Sequence, residues 1–301
     1  MIPPSSRPPG PTAVRSAALH RVEPAPAGFP VALRRVLAGD LVVLAGGLRH
    51  LGHLPDIERL ARAATAHRLP DSTAVQAPLH ELHRHADTRA IEAIRTDLET
   101  RLRPLGRRVL HDVTAAITPR DTRPYLSEHL GVRIMPPLGT VTDRSEFASR
   151  EGFLTPRDAH VDSWFNTALN SVNLWMAITP VQRGNGLILY PDAFRRPLRH
   201  DGHTLLPGQH TGDPVDLALE PGDILLFAGD HLHASQPNTT DATRFVLTKR
   251  FSAGPPRYPL RATGWVPYLD QRLLSTPLAP LAPLRSRLTP AGLRHALRGR
   301  R

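Results

Sequence analysis

The tightest constraint on the fold is a change of texture near residue 130. From there to about residue 252 the chain is cut into short apolar runs by Gly, Pro, Asn and Asp. The runs at 172–178, 186–190, 223–227 and 245–251 have strand length, and the residues between them suit turns. Many short strands in series predict a sandwich, a barrel or a jelly roll. Upstream the period changes. Ile57, Leu60, Ala61 and Ala64 form one stripe at helical spacing, and Ile91, Ile94, Leu98 and Leu102 form a second, which Pro104 is expected to stop or kink. Leu110, Val113 and Ile117 suggest a third helix. The expected architecture is mainly β with an N-terminal α-helical layer. The layer covers about 55–118 and a jelly-roll core about 130–252, within one domain at 29–255.

Two segments read as lying outside that domain. Residues 1–28 are Pro- and Ala-rich with little period, which predicts a disordered arm. Residues 256–301 are a Pro-, Leu- and Arg-rich tail, with a short helix at 290–297 as its one expected element. The opening residues lack the apolar stretch of a signal peptide, and the apolar run at 42–48 is too short to span a bilayer. A cytoplasmic location without membrane attachment is the expectation.

Charge and cysteine content narrow the chemistry. With no cysteine, disulfides and thiolate metal sites are excluded, so a metal must rest on His, Asp or Glu. The formal charge of +11 comes almost wholly from arginine, since Lys249 is the single lysine. That usage fits the codon bias of a GC-rich genome and weakens any step from basic to nucleic-acid binding. No acidic residue follows Asp270, while seven arginines do. No recognition fold accompanies them, so a specific nucleic-acid partner is not expected.

The chemistry-bearing motif is His160-Val161-Asp162. In extended chain, residues two apart project to one face, so both side chains can reach one metal. A third ligand must come from afar, and the strand-like run before His233 delivers one. Two histidines and one carboxylate form the facial triad of non-haem iron(II) oxygenases, which leaves open positions on the metal. Ser235 stands two residues past His233, and Arg244 opens the next run after a polar turn. An antiparallel return would set Arg244 beside Ser235, where a guanidinium and a hydroxyl suit the far carboxylate of 2-oxoglutarate.

Three blocks carry a resemblance. They are His160-Val-Asp162; Asn173-Leu-Trp175-Met-Ala-Ile with Gly184-Asn-Gly-Leu-Ile-Leu-Tyr-Pro191; and Pro221-Gly-Asp223 through His233-Ala-Ser235 to Arg244. The chain resembles the phytanoyl-CoA dioxygenase-like branch of the iron(II)/2-oxoglutarate oxygenases, over about residues 157–251. The resemblance implies a double-stranded β-helix, with iron(II) on His160, Asp162 and His233. It implies that Ser235 and Arg244 bind the co-substrate 2-oxoglutarate, that Trp175 lines its pocket, and that Arg133 or Met135 joins them from upstream. It also implies dioxygen as a substrate, succinate and carbon dioxide as co-products, and a small metabolite oxidised in a biosynthetic tailoring step. Related halogenases have a small residue in place of the carboxylate, so Asp162 points to hydroxylation or a related oxidation. The chain departs from the family in Pro191-Asp-Ala-Phe194 and in Val161, which bears on the substrate.

Other readings stay open at this level. His231-Leu-His233 has the spacing of a cupin metal pair, which would make the chain an isomerase or epimerase without 2-oxoglutarate. A non-catalytic jelly-roll binding protein is the third class. Otherwise His231 is a residue of the pocket mouth. Trp164 reads as a core aromatic or as a substrate contact. Arg195, Arg196 and Arg199 form a solvated loop or meet an anionic or carrier-linked substrate. Oligomeric state is not legible.

Overall fold

The computed structural model describes residues 19–25, 29, 31, 33–70, 73–119, 122–128, 130–141, 156–165, 167–259, 265–274 and 276–298. The strands are β1 (Leu19–Val22), β2 (Leu41–Leu44), β3 (Tyr125–Ser127), β4 (Gly131–Met135), β5 (Ser171–Ala177), β6 (Leu187–Tyr190), β7 (Val215–Asp216), β8 (Ile224–Ala228), β9 (Leu232–Ser235), β10 (Arg244–Ser252) and β11 (Tyr268–Asp270). The helices are α1 (Leu33–Leu37), α2 (Gly47–His50), α3 (Leu54–Arg68), α4 (Thr88–Ile117), α5 (Gln271–Leu274), α6 (Ala282–Arg287) and α7 (Pro290–Arg298). The result is a mixed, sheet-rich fold with helices. Among the described residues, no helix is long and apolar enough to cross a membrane.

A large sheet runs β1-β2-β8-β5-β10-β3-β11, with β4 also paired to β10; a small sheet runs β7-β6-β9. Among the described residues, only β1 and β2 pair in parallel. Side chains alternate across the large sheet, and each face carries an apolar cluster. Val172, Leu174 and Met176 of β5, with Ile224 and Leu226 of β8, pack in one core with residues of α3 and α4. Trp175 and Ala177, with Leu225, Phe227 and Val246, pack in a second core with Leu187 and Leu189 of the small sheet. That two-sided cover explains why β5 and β8 are buried at every position and why β8 reads as a continuous apolar run.

Three expectations need correction. The helix expected to stop or kink at Pro104, with a separate third helix after it, is one helix from Thr88 to Ile117 with Pro104 inside it. An interior proline costs about 3 kcal/mol, but Leu98, Leu102, Leu105, Val109, Leu110 and Val113 all bury along this one helix. Each fully buried aliphatic side chain contributes about 1.5–3 kcal/mol, so the stripe outweighs the break. Second, the fold passes the boundary expected at residue 255, because β11 pairs with β3 and buries Tyr268, Leu269 and Asp270. Asp270 accepts from Arg123, which fastens the segment. The helix expected at 290–297 is present as α7. Third, β1 falls inside the stretch expected to be an arm and pairs with β2; residues 1–18 and 26–28 of that stretch lie outside the described residues.

Lys249 lies on the helix-facing side of β10. It is 2% exposed, and its ammonium donates to the carbonyls of Ser127 and Glu128 at 2.9 and 3.1 Å. Burial lowers it to about 8.

Candidate metal centre

The backbone of residue 160 is laced to that of residue 233. His160 donates to the carbonyl of His233 at 2.9 Å, and His233 donates back at 3.0 Å. The isolated bridge brings two segments far apart in sequence into register, and the two imidazole centroids lie 4.2 Å apart. Val161 is extended (φ −115°, ψ 126°), and a 3₁₀ turn begins at Asp162. The expected same-face projection therefore comes from one extended residue before a turn, not from a regular strand. Ligating atoms of His160, Asp162 and His233 all fall within 4.8 Å of one another, and all three residues are buried.

The tautomers follow from the hydrogen bonds. His160 Nδ1 lies 2.7 Å from the carbonyl oxygen of Asp158, and His233 Nδ1 lies 2.9 Å from that of His231. A carbonyl only accepts, so each Nδ1 carries the proton and donates, which leaves the Nε2 lone pairs free to bind. Burial holds both imidazoles below their usual range, so they are neutral at pH 7, the state a metal needs.

Asp162 is fixed by two residues that the motif reading missed. Asn173 donates to Oδ2 at 2.9 Å, and Arg250 Nη2 lies 3.0 Å from both carboxylate oxygens. Burial pushes the carboxyl up, but the Arg250 charge outweighs it and holds Asp162 well below the usual carboxylate range. Sheet register explains the placement. Asn173 pairs with Arg250 and Trp175 pairs with Thr248 across β5 and β10, so these four share a face. A period-2 reading of β5 backward from Trp175, and of β10 forward from Arg244, would have found Asn173 and Arg250.

A narrow cavity opens at this centre. It is lined by His160, Asp162, His233, Ser235 and Trp175, together with Arg133, Arg157, Asn173, Phe227 and Arg250. Arg133 faces inward because it pairs with Val246 on β10. Burial, then the nearby charges of Arg250, Arg157 and Arg244, pull Arg133 down to about 9, still a cation at neutral pH.

Arg244 is 1% exposed and stands 5.7 Å from the Trp175 ring centroid. Its Nη1 donates to the carbonyls of Asn185 and Gly186, at 2.8 and 3.3 Å. Its Nε and Nη2 are buried without a hydrogen-bond partner. The expected hairpin is not the route by which it arrives. β9 lies in the small sheet and β10 in the large one, so Ser235 and Arg244 belong to different layers. The segment between them crosses over, pinned by Asn238, whose amide donates to the carbonyls of Met135 and Ala242.

The remaining candidates fall elsewhere. Met135 is buried opposite Arg244 in the β4–β10 ladder and is not among the cavity-lining residues. Trp164 stacks on His200 at 4.3 Å and does not line the cavity. His231 is buried with Nε2 donating to the carbonyl of Gly39 at 3.0 Å, apart from the three-residue cluster; burial lowers it to about 4. The cupin pairing of His231 with His233 is thus not the geometry present. Arg195 is tied to Asp230 at 3.1 Å, and Arg196 and Arg199 are exposed.

Residues 123–246 match the family described as phytanoyl-CoA dioxygenase (PhyH). No curated protein matches the sequence. Among solved structures, the chain is similar to the non-heme alpha ketoglutarate dependent epimerase SnoN from nogalamycin biosynthesis. Identity is 17% over 73% of this chain and 83% of that one, with a TM-score of 0.43. It is also similar to the non-heme alpha ketoglutarate dependent carbocyclase SnoK from nogalamycin biosynthesis, at 14% identity over 79% and 90%, with a TM-score of 0.43. EvdO2 from Micromonospora carbonacea var. aurantiaca matches at 15% identity over 55% and 64%, with a TM-score of 0.34. Likenesses this loose assign no reaction. The matched stretch, residues 123–246, is less than half of the chain, and it carries His160, Asp162, His233 and Arg244.

Proposed function

We propose that the protein is an iron(II)- and 2-oxoglutarate-dependent oxygenase on a double-stranded β-helix with an N-terminal helical layer, and that it hydroxylates or otherwise oxidises a small metabolite. The observation that carries the reading is the buried triad His160, Asp162 and His233, with both imidazole protons committed to carbonyls. Two neutral nitrogens and one carboxylate suit iron(II) and leave positions open for exchangeable ligands. The co-substrate fits a second feature. The two orphaned donors of Arg244 are buried polar groups that a carboxylate would satisfy, and a bidentate guanidinium–carboxylate pair is the natural partner.

Each residue then has a task. His160, Asp162 and His233 hold the metal. Arg244 and Ser235 hold the distal carboxylate of 2-oxoglutarate, while Trp175 and Phe227 keep water from it. Asn173 and Arg250 orient Asp162, and Arg133 adds positive charge beside the dicarboxylate. Iron(II), 2-oxoglutarate and dioxygen together supply a two-electron oxidation, with succinate and carbon dioxide as co-products. Asp162 keeps a carboxylate at the position where related halogenases have a small residue, which favours oxygen insertion or a related oxidation.

The test is anaerobic titration of 2-oxoglutarate into the iron(II)-loaded protein, followed by a screen for substrate-dependent succinate. A visible metal-to-ligand charge-transfer band that saturates is the expected result. Absence of the band would sink the oxygenase reading. A band without succinate against any substrate panel would favour a binding protein that has kept the site but lost turnover.

A further inference from the structure

A second opening lies away from the triad, under the C-terminal helices. It encloses about 910 Å³ of space open to solvent, against about 420 Å³ at the metal centre. Its walls come from β3, β11, α6, α7 and the 255–258 stretch. Space of this size suits a drug-sized molecule, which ordinarily binds among aromatic and apolar walls with a few polar groups for orientation.

The walls specify what would fit. Tyr125, Tyr258 and Tyr268 supply three aromatic rings, joined by Pro255 and Pro256. Tyr258 and Tyr268 stand 6.3 Å apart in an edge-on arrangement, and Tyr258, the more exposed ring, offers a face to a flat body. The rim is cationic. Arg285 and Arg294 line it, and the one acidic residue among the described lining residues, Asp270, is already paired with Arg123 and Arg285. One carboxylate against three guanidinium groups leaves a positive balance at the mouth. On the back wall, Tyr268 is 2% exposed, with its hydroxyl close to Ser171 and within electrostatic reach of Arg250 and Asp162.

We propose that this cavity is a second binding site, for a small molecule with an aromatic body and a carboxylate, phosphate or sulfonate group. The rings hold the body, and Arg294 with Arg285 meets the anion. Tyr268 lines this cavity and interacts electrostatically with Arg250 and Asp162. The assignment does not depend on the oxygenase reading, since no metal takes part in it.

The probe is anilinonaphthalene sulfonate, an aromatic sulfonate that brightens in apolar sites, titrated into the full-length metal-free protein. Saturable binding at one site per chain is expected. Ala291→Trp, which fills the cavity from α7, should abolish it. Arg294→Glu changes an exposed residue that does not hold the fold, and should weaken it about fivefold or more. Leu297→Ser, on the exposed leucine face of the same helix, should leave it unchanged. Naphthoate should displace the probe, and naphthalenemethanol should not. Circular dichroism checks that each variant is folded; if Ala291→Trp is not, Arg294→Glu and the competition decide. The assignment is overturned if no saturable binding occurs. It is overturned equally if Leu297→Ser removes binding while Arg294→Glu keeps it, or if the neutral alcohol competes as well as the carboxylate.

Discussion

Asp162 is fully buried and carries a charge that something must balance. Without a metal, Arg250 does so through contacts to both carboxylate oxygens. Breaking such a pair leaves an uncompensated buried charge, at a cost of about 3–5 kcal/mol. Arg250→Met should therefore lower the Tm of the metal-free protein. Added Mn(II) should recover much of the loss, because the ion takes over the balancing role. A Tm unmoved by the substitution would show that Arg250 does not neutralise Asp162. Arg244 makes a different demand, since its orphaned donors wait for a ligand. Arg244→Ala should weaken 2-oxoglutarate binding by about 2–5 kcal/mol, roughly thirty-fold or more. Iron(II) affinity should be unchanged, as Arg244 contacts none of the three ligands; equilibrium dialysis of each ligand separates the two effects.

The histidines set the acid limit of the empty protein. His160, His231 and His233 are all held by burial below their unfolded value of about 6.5. The unfolded chain then binds more protons than the folded one just below that pH. Their contribution to stability is complete above about 6.5 and is lost as pH falls, for His231 through about 4. Asp162 is also depressed, but its contribution is lost only below about 3.9. The urea midpoint of the metal-free protein should thus fall between pH 7 and pH 5, and His231→Gln should flatten part of that fall. A midpoint constant across the interval would contradict the burial of neutral imidazoles.

At the scale of elements, the site was legible where a residue announced itself by type and illegible where register alone placed it. His160, Asp162 and His233 stood out because three metal-ligating side chains sat at ligand-like positions. Asn173 and Arg250 look like ordinary strand residues until β5 and β10 are aligned, when each faces the other across the ladder. The hairpin expected between Ser235 and Arg244 failed for a related reason. Turn residues mark a reversal but do not say whether the next strand returns to the same sheet or crosses to another. The C-terminal boundary failed because β11 is only three residues long and its support is non-local, through β3 and the pairing of Asp270 with Arg123. This leads to a prediction about truncation. A chain ending at residue 274 should remain folded but lose the probe-binding cavity, because α6 and α7 are gone. A chain ending at residue 264 should aggregate or unfold, as it strips β3 of its partner. Size-exclusion chromatography and circular dichroism of both distinguish the two.

At the scale of the molecule, one large sheet sits between two different covers, helices on one face and a small sheet on the other. The strand-rich half and the helical half were each visible from their periods. Which face of β10 meets which cover was not, because each face mixes apolar residues with charge: Arg244 and Arg250 lie on one, Lys249 on the other. Lys249 marks the outcome: it is the single lysine and lies under α4, where a Cβ at Gly106 would come within 3.4 Å of its side chain, and its ammonium caps two carbonyls. The consequence is chemical. Acylating reagents that modify primary amines find only the α-amine of the chain while the fold is closed. Under native conditions a succinimidyl ester should add one label per chain by mass spectrometry, and the second label should appear only as α4 lifts from the sheet. The rate of that second acylation would then time the opening of the helical face, read from a single nitrogen.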